Sequence, residues 1–594
     1  MATYKVDLQD IRFVLRDQLR LGELTQHEPF TDYAWEDFDA ILSEADKLSR
    51  EVLYPAHAES DAVGSRLIDG QVRVPKSFHA AFHAYTKGGW NGASVSQEMG
   101  GQGLPHALSS ALADITIAAC PAFFFIPALA KSAAQVIERV GTPEQRDTYC
   151  RNMYSGKWGG TMCLTEPQAG SAVGDLKTGA TRVPGEDYYL IKGQKIFISA
   201  GDQDITENVI HLVLARTPDA PPGIRGVSLF IVPRNRLDGT PNDVVVTAVE
   251  HKMGLHGSPT CSLSFGDDGE CRGTIIGKEG EGIQHMFLMM NEARIAVGIQ
   301  ASSMSNWSYQ ASLAYAKERI QGVDVAAMKD PLAERVAIIK HPDVRRMLMT
   351  MKCYSEGIRS LMYTTAHLVD REIVATNPNE KQRYRHLVEL LTPICKAYGS
   401  YRAFDAADLG IMVHGGYGYI RDYAVEGILR DVKIAAIYEG TNGIQALDLL
   451  GRKVAAKGGV MFMSFIQWLN EFVVAHKSNP TVGKLVDALE RAKNTLVEVT
   501  MDLGRRSSQG DVYYPVLNAS NYLELFGDVV LGRQLIDQAV VASGRMGDCS
   551  ESDRRFYEGK IKSAEFYVAQ HLPRVESLAA AIRSEDRSAL EMPF

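Results

Sequence analysis

The segment Ile437-Tyr438-Glu439-Gly440-Thr441-Asn442-Gly443-Ile444-Gln445 sets a carboxylate at the end of an apolar run and follows it at once with residues suited to a tight turn. The approach from Val432 to Ile437 is largely apolar, with Lys433 as its one charge. Glu439 is therefore expected to emerge from packed structure into a partly dry space, where desolvation raises its pKa. A carboxylate tuned in that way can take a carbon-bound proton near neutral pH. The same residues also suit a helix C-terminus capped by Gly440 with an ordinary exposed Glu, and the segment alone leaves both readings open.

Four further segments carry residues able to grip a ligand. Cys163-Leu164-Thr165-Glu166-Pro167-Gln168-Ala169-Gly170-Ser171 combines two hydroxyls, a Pro turn and a Gly, which suits a polar ring or phosphate as well as a structural turn. Lys195-Ile196-Phe197-Ile198-Ser199-Ala200-Gly201 reads as a strand end whose alternation puts Phe197 and Ser199 on one face. An aromatic beside a hydroxyl fits a flat cofactor, and a half-buried strand has the same pattern. Asn291-Glu292-Ala293-Arg294 heads a long helical segment that ends near Arg319 and Gln321. The rigid donor fork of Arg suits phosphate, although each Arg also serves as a solvated helix charge. In His414-Gly415-Gly416-Tyr417-Gly418-Tyr419 three glycines permit close backbone approach or a helix break. It is not a GxGxxG, and no βαβ pattern surrounds it, which disfavours a Rossmann site.

The elements that must position these residues fall into blocks. From about Tyr33 to Trp158, segments such as Trp35 to Glu51 and Ala134 to Met153 have helical spacing, broken at Gly100-Gly101-Gln102-Gly103 and Gly141-Thr142-Pro143. From about Gly159 to Gly277 the period shortens. Tyr188 to Ile198, Val209 to Ala215, Val227 to Val232, Val244 to Ala248 and Cys261 to Phe265 read as strands of an antiparallel sandwich or barrel. After Gly282 the helical period returns: Ala296 to Ile320, Val344 to Val369 and Arg385 to Leu409 are long enough for a bundle, with a loop from Gln321 to Pro331. Beyond Lys453, Phe462 to Ala475, Val482 to Leu503 and Tyr522 to Ser543 form a further helical block, expected to pack on the bundle.

Composition narrows the function classes. The chain has 594 residues, 45% hydrophobic and 23% charged, which gives room for several domains or one large multi-layer unit. A net charge of −9 and a pI near 6.0 disfavour nucleic acid as the main partner. Eight Cys without CxxC pairs or His clusters argue against a disulfide framework or a zinc site and suit a reducing compartment. Met1 to Arg20 intersperses charges with apolar residues and has no secretory h-region, so a cytoplasmic protein is expected. The most apolar stretch, Ala111 to Ile137, is interrupted by Asp114, Pro121, Pro127 and Lys131. It reads as two core helices joined at a bend and not as a membrane span. Val460 to Val474 is apolar over much of one helix, but Glu471 and the lack of basic residues favour packing over membrane association.

Taken in this order, with helix, sheet and helix around them, the segments resemble the acyl-CoA dehydrogenase flavoprotein family. The resemblance spans roughly residues 40 to 450 and rests on the Thr165-Glu166-Pro167 segment, Lys252-Met253-Gly254-Leu255-His256-Gly257-Ser258-Pro259-Thr260, Arg430-Asp431-Val432-Lys433-Ile434 and Tyr438-Glu439-Gly440-Thr441. The total length, the N-terminal segment, His341-Pro342-Asp343-Val344-Arg345-Arg346-Met347 and the added C-terminal block resemble the family's long subgroup. The resemblance implies an α+β, mainly α fold: an N-terminal extension at 1–32, a helical domain at 33–158, a middle β domain at 159–280, a bundle carrying the base at 281–452 and an additional helical domain at 453–594. It also implies a homodimer, because the added domain takes the place of a second dimer.

The implied reaction is α,β-dehydrogenation of an acyl-CoA thioester to the trans-2-enoyl-CoA, with Glu439 removing the α-proton and the β-hydrogen leaving as hydride to flavin N5. The cofactor implied is FAD, and the electron acceptor an electron-transfer flavoprotein. By resemblance, Leu164, Thr165 and Ser171 line the flavin, Phe197 and Ser199 cover its ring, Arg319 and Gln321 meet the pyrophosphate, and Gly415, Gly416 and Thr441 lie near the cofactor. Ser171, Arg294, Tyr438 and Gly440 would contact substrate, Arg294 on the CoA side. Phe123, Phe124, Phe125 and Pro127 fall where the family builds the acyl-pocket floor. Their bulk points to a short or compact acyl group, and the resemblance to the long subgroup implies 3-methylmercaptopropionyl-CoA as one candidate. Phe197 stands where many relatives have Trp, Met412 where Gln is common and Gly443 where many carry Glu or Gln. A flavin oxidase, or a nucleic-acid-associated protein on the same scaffold, is the competing expectation; the mixed charges after Lys453 weigh against the second.

Overall fold

The computed structural model describes residues 4–547 and 549–594, with the backbone alone at 288 and 289. It divides into two compact units. One comprises Ile41–Pro105 and Ile115–Ala293, the other Met1–Ala40, His106–Asp114 and Arg294–Phe594.

The long apolar stretch bends where proline demands it. The helix His106–Ala119 ends at Cys120, and Pro121–Val140 begins with Pro121 in its first turn, where a missing N–H breaks no helical bond. The expected break at Gly141-Thr142-Pro143 is present: the helix ends at Val140, and Thr142 and Gln145 form a capping box that starts a new one.

In the first unit the five expected strands are present, each slightly longer or shifted: Tyr189–Ser199, Asn208–Arg216, Val227–Pro233, Val244–Val249 and Thr260–Phe265. They join Trp158–Cys163, Gly179–Arg182 and Arg272–Ile276 in an eight-stranded sheet. Arg272–Ile276 pairs both with Val227–Pro233 and with Tyr189–Ser199, so the strand path closes on itself. The expectation of a wholly antiparallel sheet is corrected: Trp158–Cys163 runs parallel to Asn208–Arg216, with Thr161 opposite His211. The physical reason is burial on both faces. Ile210, Leu212 and Leu214 pack with Ala133, Ala134 and Ile137 of the helix Pro121–Val140, whereas Val213 and Ala215 face the interior with Ile191, Phe230 and Leu263. Such a strand carries a near-continuous apolar run and tolerates parallel neighbours.

The second unit is helical. Its bundle uses Gly282–Glu318 from Arg294 onward, Pro342–Val374 and Pro378–His414. The expected loop after Gln321 instead contains part of a short hairpin, Ile320–Val323 with Arg335–Ala337. Of the C-terminal helices, Val460–His476, Gly483–Ser508 and Ala519–Arg545 match the apolar spacing, and Glu551–Gln570 and Arg574–Arg583 follow them. Among the described residues one segment, Ala456–His476, is long and apolar enough by composition to cross a membrane. Its Phe465 is fully buried, with its ring centroid 4.7 Å from that of Phe526.

Buried charges join distant parts of this unit. Arg359 donates to Asp10 at 2.5 Å and to Asp114 at 2.9 Å, and Tyr363 donates to Asp114 at 2.7 Å. Lys560 pairs with Asp10 and lies 2.9 Å from Glu356. Burial would raise the Asp10 carboxyl, but Lys560 and Arg359 hold it down at about 2. Substituting Arg359→Met leaves the buried Asp114 without a cation and Asp10 with Lys560 alone. A loss of roughly 3–5 kcal/mol in urea unfolding is expected, and an unchanged midpoint would show that the network contributes nothing.

Candidate active site

Glu439 occupies a turn between two helical pieces of the second unit. The 3-10 segment Ile434–Ala436 closes with the amides of Ile437 and Tyr438 donating to Ile434 O at 2.8 and 3.1 Å. Glu439 and Gly440 then take φ of +56° and +83°. Thr441 ends the reversal by accepting from the Ile444 amide at 3.2 Å as N-cap of Asn442–Leu447. A left-handed glutamate costs about 1–2 kcal/mol and persists because neighbours over-determine it. The Gln445 Nε2 donates to the carbonyl oxygens of Glu439 at 3.2 Å and Gly440 at 3.4 Å. A Cβ at Gly440 would sit 2.6 Å from that same Nε2.

The Glu439 side chain is half-buried. Burial raises its carboxyl to about 7, against the opposing pull of Arg294 and Lys396. Among the described residues the carboxylate accepts no hydrogen bond, and the Glu439 amide donates to no protein acceptor. A carboxylate near neutrality with free lone pairs, beside a free amide N–H, can accept a proton while the amide stabilises negative charge next to it.

Three neighbours of Glu439 differ from the sequence reading or were missed by it. Arg294, expected to face CoA, is only 2% exposed, and its Nη1 donates to Asp448 at 2.8 Å. Its charge is paired inside the unit with Asp448, which is buried with it and is also bonded by Arg452 at 2.7 Å. Tyr438 donates its hydroxyl to Gln300, which directs it into the unit. Lys396 carried no role in the sequence reading, although a lone Lys in the run Leu390-Leu391-Thr392-Pro393-Ile394-Cys395-Lys396-Ala397 signals a buried charge.

A second cluster in this unit gathers four of the expected cofactor residues. Arg319 donates to Gln321 Oε1 at 3.1 Å and lies 5.4 Å from the Tyr417 ring centroid. Gly415, at φ +61°, and Gly416 have no other heavy atom within 4 Å of where a Cβ would stand. Met412 is 62% exposed, and a Cβ at Gly443 would meet Thr441 Oγ1 at 3.8 Å, an ordinary van der Waals contact.

In the first unit, Glu166 organises the Leu164 to Ser171 segment. Its carboxylate accepts from Lys195 Nζ at 2.8 Å, the amides of Lys177 and Thr178 at 2.6 and 3.0 Å, and Gln168 Nε2 at 2.6 Å. Burial would raise this carboxyl, but Lys195 and these donors hold it at about 2. Lys195 Nζ also donates to Leu164 O at 3.1 Å, and the Ile196 amide to Thr165 O at 2.9 Å, so the motif is tied to the strand carrying Phe197. Strict alternation on that strand is corrected. The register shifts between Lys195 and Ile198, Phe197 turns to φ +59°, and its side chain is 60% exposed, while Lys195 and Ile198 are both buried. Thr165 and Ser199 are half-buried and Ser171 is exposed. Phe123 is not free to wall a pocket: it is fully buried, with ring centroids of Phe78 and Tyr85 at 5.5 and 5.7 Å.

One unit thus combines a closed sheet with helices, and the other is helical and carries Glu439. Family models match nearly the whole chain: acyl-CoA dehydrogenase N-terminal domain at 36–157, middle domain at 161–267, C-terminal domain at 280–454 and acetyl-CoA dehydrogenase C-terminal like at 464–593. The chain belongs to the acyl-CoA dehydrogenase family. It is 36% identical to a butyryl-CoA dehydrogenase of Syntrophomonas wolfei, over 99% of this chain and 98% of that one. It is 34% identical to 3-methylmercaptopropionyl-CoA dehydrogenase of Ruegeria pomeroyi, over 96% of each. An acyl-CoA dehydrogenase from Bacillus anthracis complexed with FAD shares the fold at a TM-score of 0.75 and 20% identity, over 96% of this chain and 92% of that one.

The two members of the Glu166–Lys195 pair differ in what their loss leaves behind. Glu166→Leu orphans a buried ammonium and two amides, whereas Lys195→Met leaves a carboxylate with three remaining donors. Both are expected to lower the thermal midpoint, Glu166→Leu by more, at roughly 3–5 kcal/mol; the reverse order in calorimetry would remove Glu166 as the organising group.

Proposed function

We propose that the protein oxidises an acyl-CoA thioester at its α and β carbons with FAD, and that Glu439 takes the α-proton. The observation carrying this reading is the uncommitted carboxylate of Glu439, raised to about 7 by burial, beside an amide N–H with no acceptor among the described residues. That amide would donate to the thioester carbonyl oxygen as negative charge develops there, which lowers the barrier to removing a weakly acidic C–H.

The donor sets suit FAD. In one unit, Thr165, Ser171 and Ser199 offer hydroxyls and Phe197 an exposed ring; in the other, Arg319 with Gln321 offers donors suited to a pyrophosphate. When bound, FAD supplies the hydride acceptor. The relatives' names support a short or compact acyl group, of which butyryl-CoA and 3-methylmercaptopropionyl-CoA are the candidates. A homodimer in the cytoplasm that passes electrons to an electron-transfer flavoprotein completes the reading carried by the resemblance.

The purified protein should be yellow, and anaerobic addition of one of these acyl-CoAs should bleach it. The bleaching rate should rise with pH through about 7, since the base must be ionised. Glu439→Gln should retain FAD and bleach about 10²–10⁴-fold more slowly. A colourless protein that takes up no FAD, or a Glu439→Gln enzyme at full rate, would refute the proposal.

A further inference from the structure

Lys396 stands in the interior of the helix Pro378–His414 with none of its side chain exposed. An ammonium removed from water needs partners for its donors and a compensating charge. Its Nζ donates to Asn442 Oδ1 at 3.0 Å, and among the described residues it forms no ion pair. Asn442 is itself gripped by the same helix: its Nδ2 donates to Ser400 Oγ at 3.0 Å and to Ala397 O at 3.3 Å. Because Asn442 directly follows Glu439-Gly440-Thr441, the lysine reaches the left-handed turn through one amide side chain.

Its charge reaches Glu439 as well. Burial pulls Lys396 down to about 7, and the Glu439 carboxylate opposes that fall; reciprocally, Lys396 favours the ionised glutamate. The other charged or titratable groups facing this pair come from separate elements. Arg294, on the helix Gly282–Glu318, pairs with Asp448, which Arg452 also bonds, and burial keeps the Tyr438 phenol protonated. Arg294 is the larger of the two attractions on Glu439 and shares its carboxylate partner with Arg452, whereas Lys396 adds a second positive charge that bonds no carboxylate.

We propose that Lys396 is a positioning residue for Glu439: through Asn442 it fixes the turn that aims the carboxylate, and its buried positive charge lets the carboxylate ionise without occupying its lone pairs. This rests on Glu439 being the base. A cation in hydrogen-bond contact would tie the carboxylate down, but one held by an intervening amide stabilises its charge and leaves it free for substrate.

The test uses the FAD-loaded enzyme, bleached anaerobically by butyryl-CoA or whichever acyl-CoA reduces the wild type, across a pH series. Lys396→Met should move the acid limb of the rate upward by about one pH unit, a tenfold loss on that limb, and Lys396→Arg should restore it toward the wild-type position. Calorimetric proton uptake on binding a redox-inert acyl-CoA thioether, measured in two buffers, should shift by the same amount in Lys396→Met. If that variant does not fold, Asn442→Asp, which sets a carboxylate against the lysine, should shift the limb in the same direction. An acid limb and proton uptake coincident with wild type in a folded variant overturn the proposal. Wild-type enzyme that no acyl-CoA reduces, or Glu439→Gln at full rate, instead removes the reading on which it rests.

Discussion

The helical unit is held to one arrangement by the buried guanidinium of Arg359. Asp10 near the N-terminus, Asp114 in the segment 106–114 and, through Asp10, Lys560 in a C-terminal helix all converge on it. An apolar contact tolerates sliding, but a buried ion pair keeps its favourable energy only at good geometry. Segments hundreds of residues apart are thereby brought into register. The bundle helices that bear Lys396, Arg294 and the partners of the Glu439 turn lie in that same unit.

Two glutamates show how environment assigns opposite tasks to one side chain. Glu166 and Glu439 are both drawn upward by burial. Lys195 and several N–H donors return Glu166 to about 2 and make it a fixed anchor for the Thr165 segment, whereas Glu439 stays at about 7 with its oxygens unoccupied. The adjacent Lys195 charge, and after it hydrogen bonds to the charged form, account for the difference. A carboxylate with all its lone pairs satisfied serves architecture, and one without partners is available for chemistry.

The left-handed residues Phe197 and Glu439 follow the same logic. At each, a non-glycine side chain is held at positive φ and turned out of the regular element that precedes it. The bulge at Phe197 depends on pairing with Thr260–Phe265, and the turn at Glu439 depends on Gln445 and Asn442. Local propensity disfavours both conformations, so tertiary contacts must supply the compensation.

Much was legible in the chain itself. Short β-branched or aromatic runs between turn residues marked the five strands, the 3.6-residue period marked the bundle helices, and Pro121 marked the bend, because these signals act between residues close in sequence. The order of the short motifs pointed to the family. The parallel partner of Asn208–Arg216, the inward course of Arg294, the packing of Phe123 and the role of Lys396 were not legible. Each depends on which distant group is adjacent after folding. Sequence determined which side chains were available and the periodicity of the elements bearing them; tertiary structure decided which charges were neutralised, which were buried and which remained free, because desolvation and Coulombic pairing depend on distance in space and not along the chain.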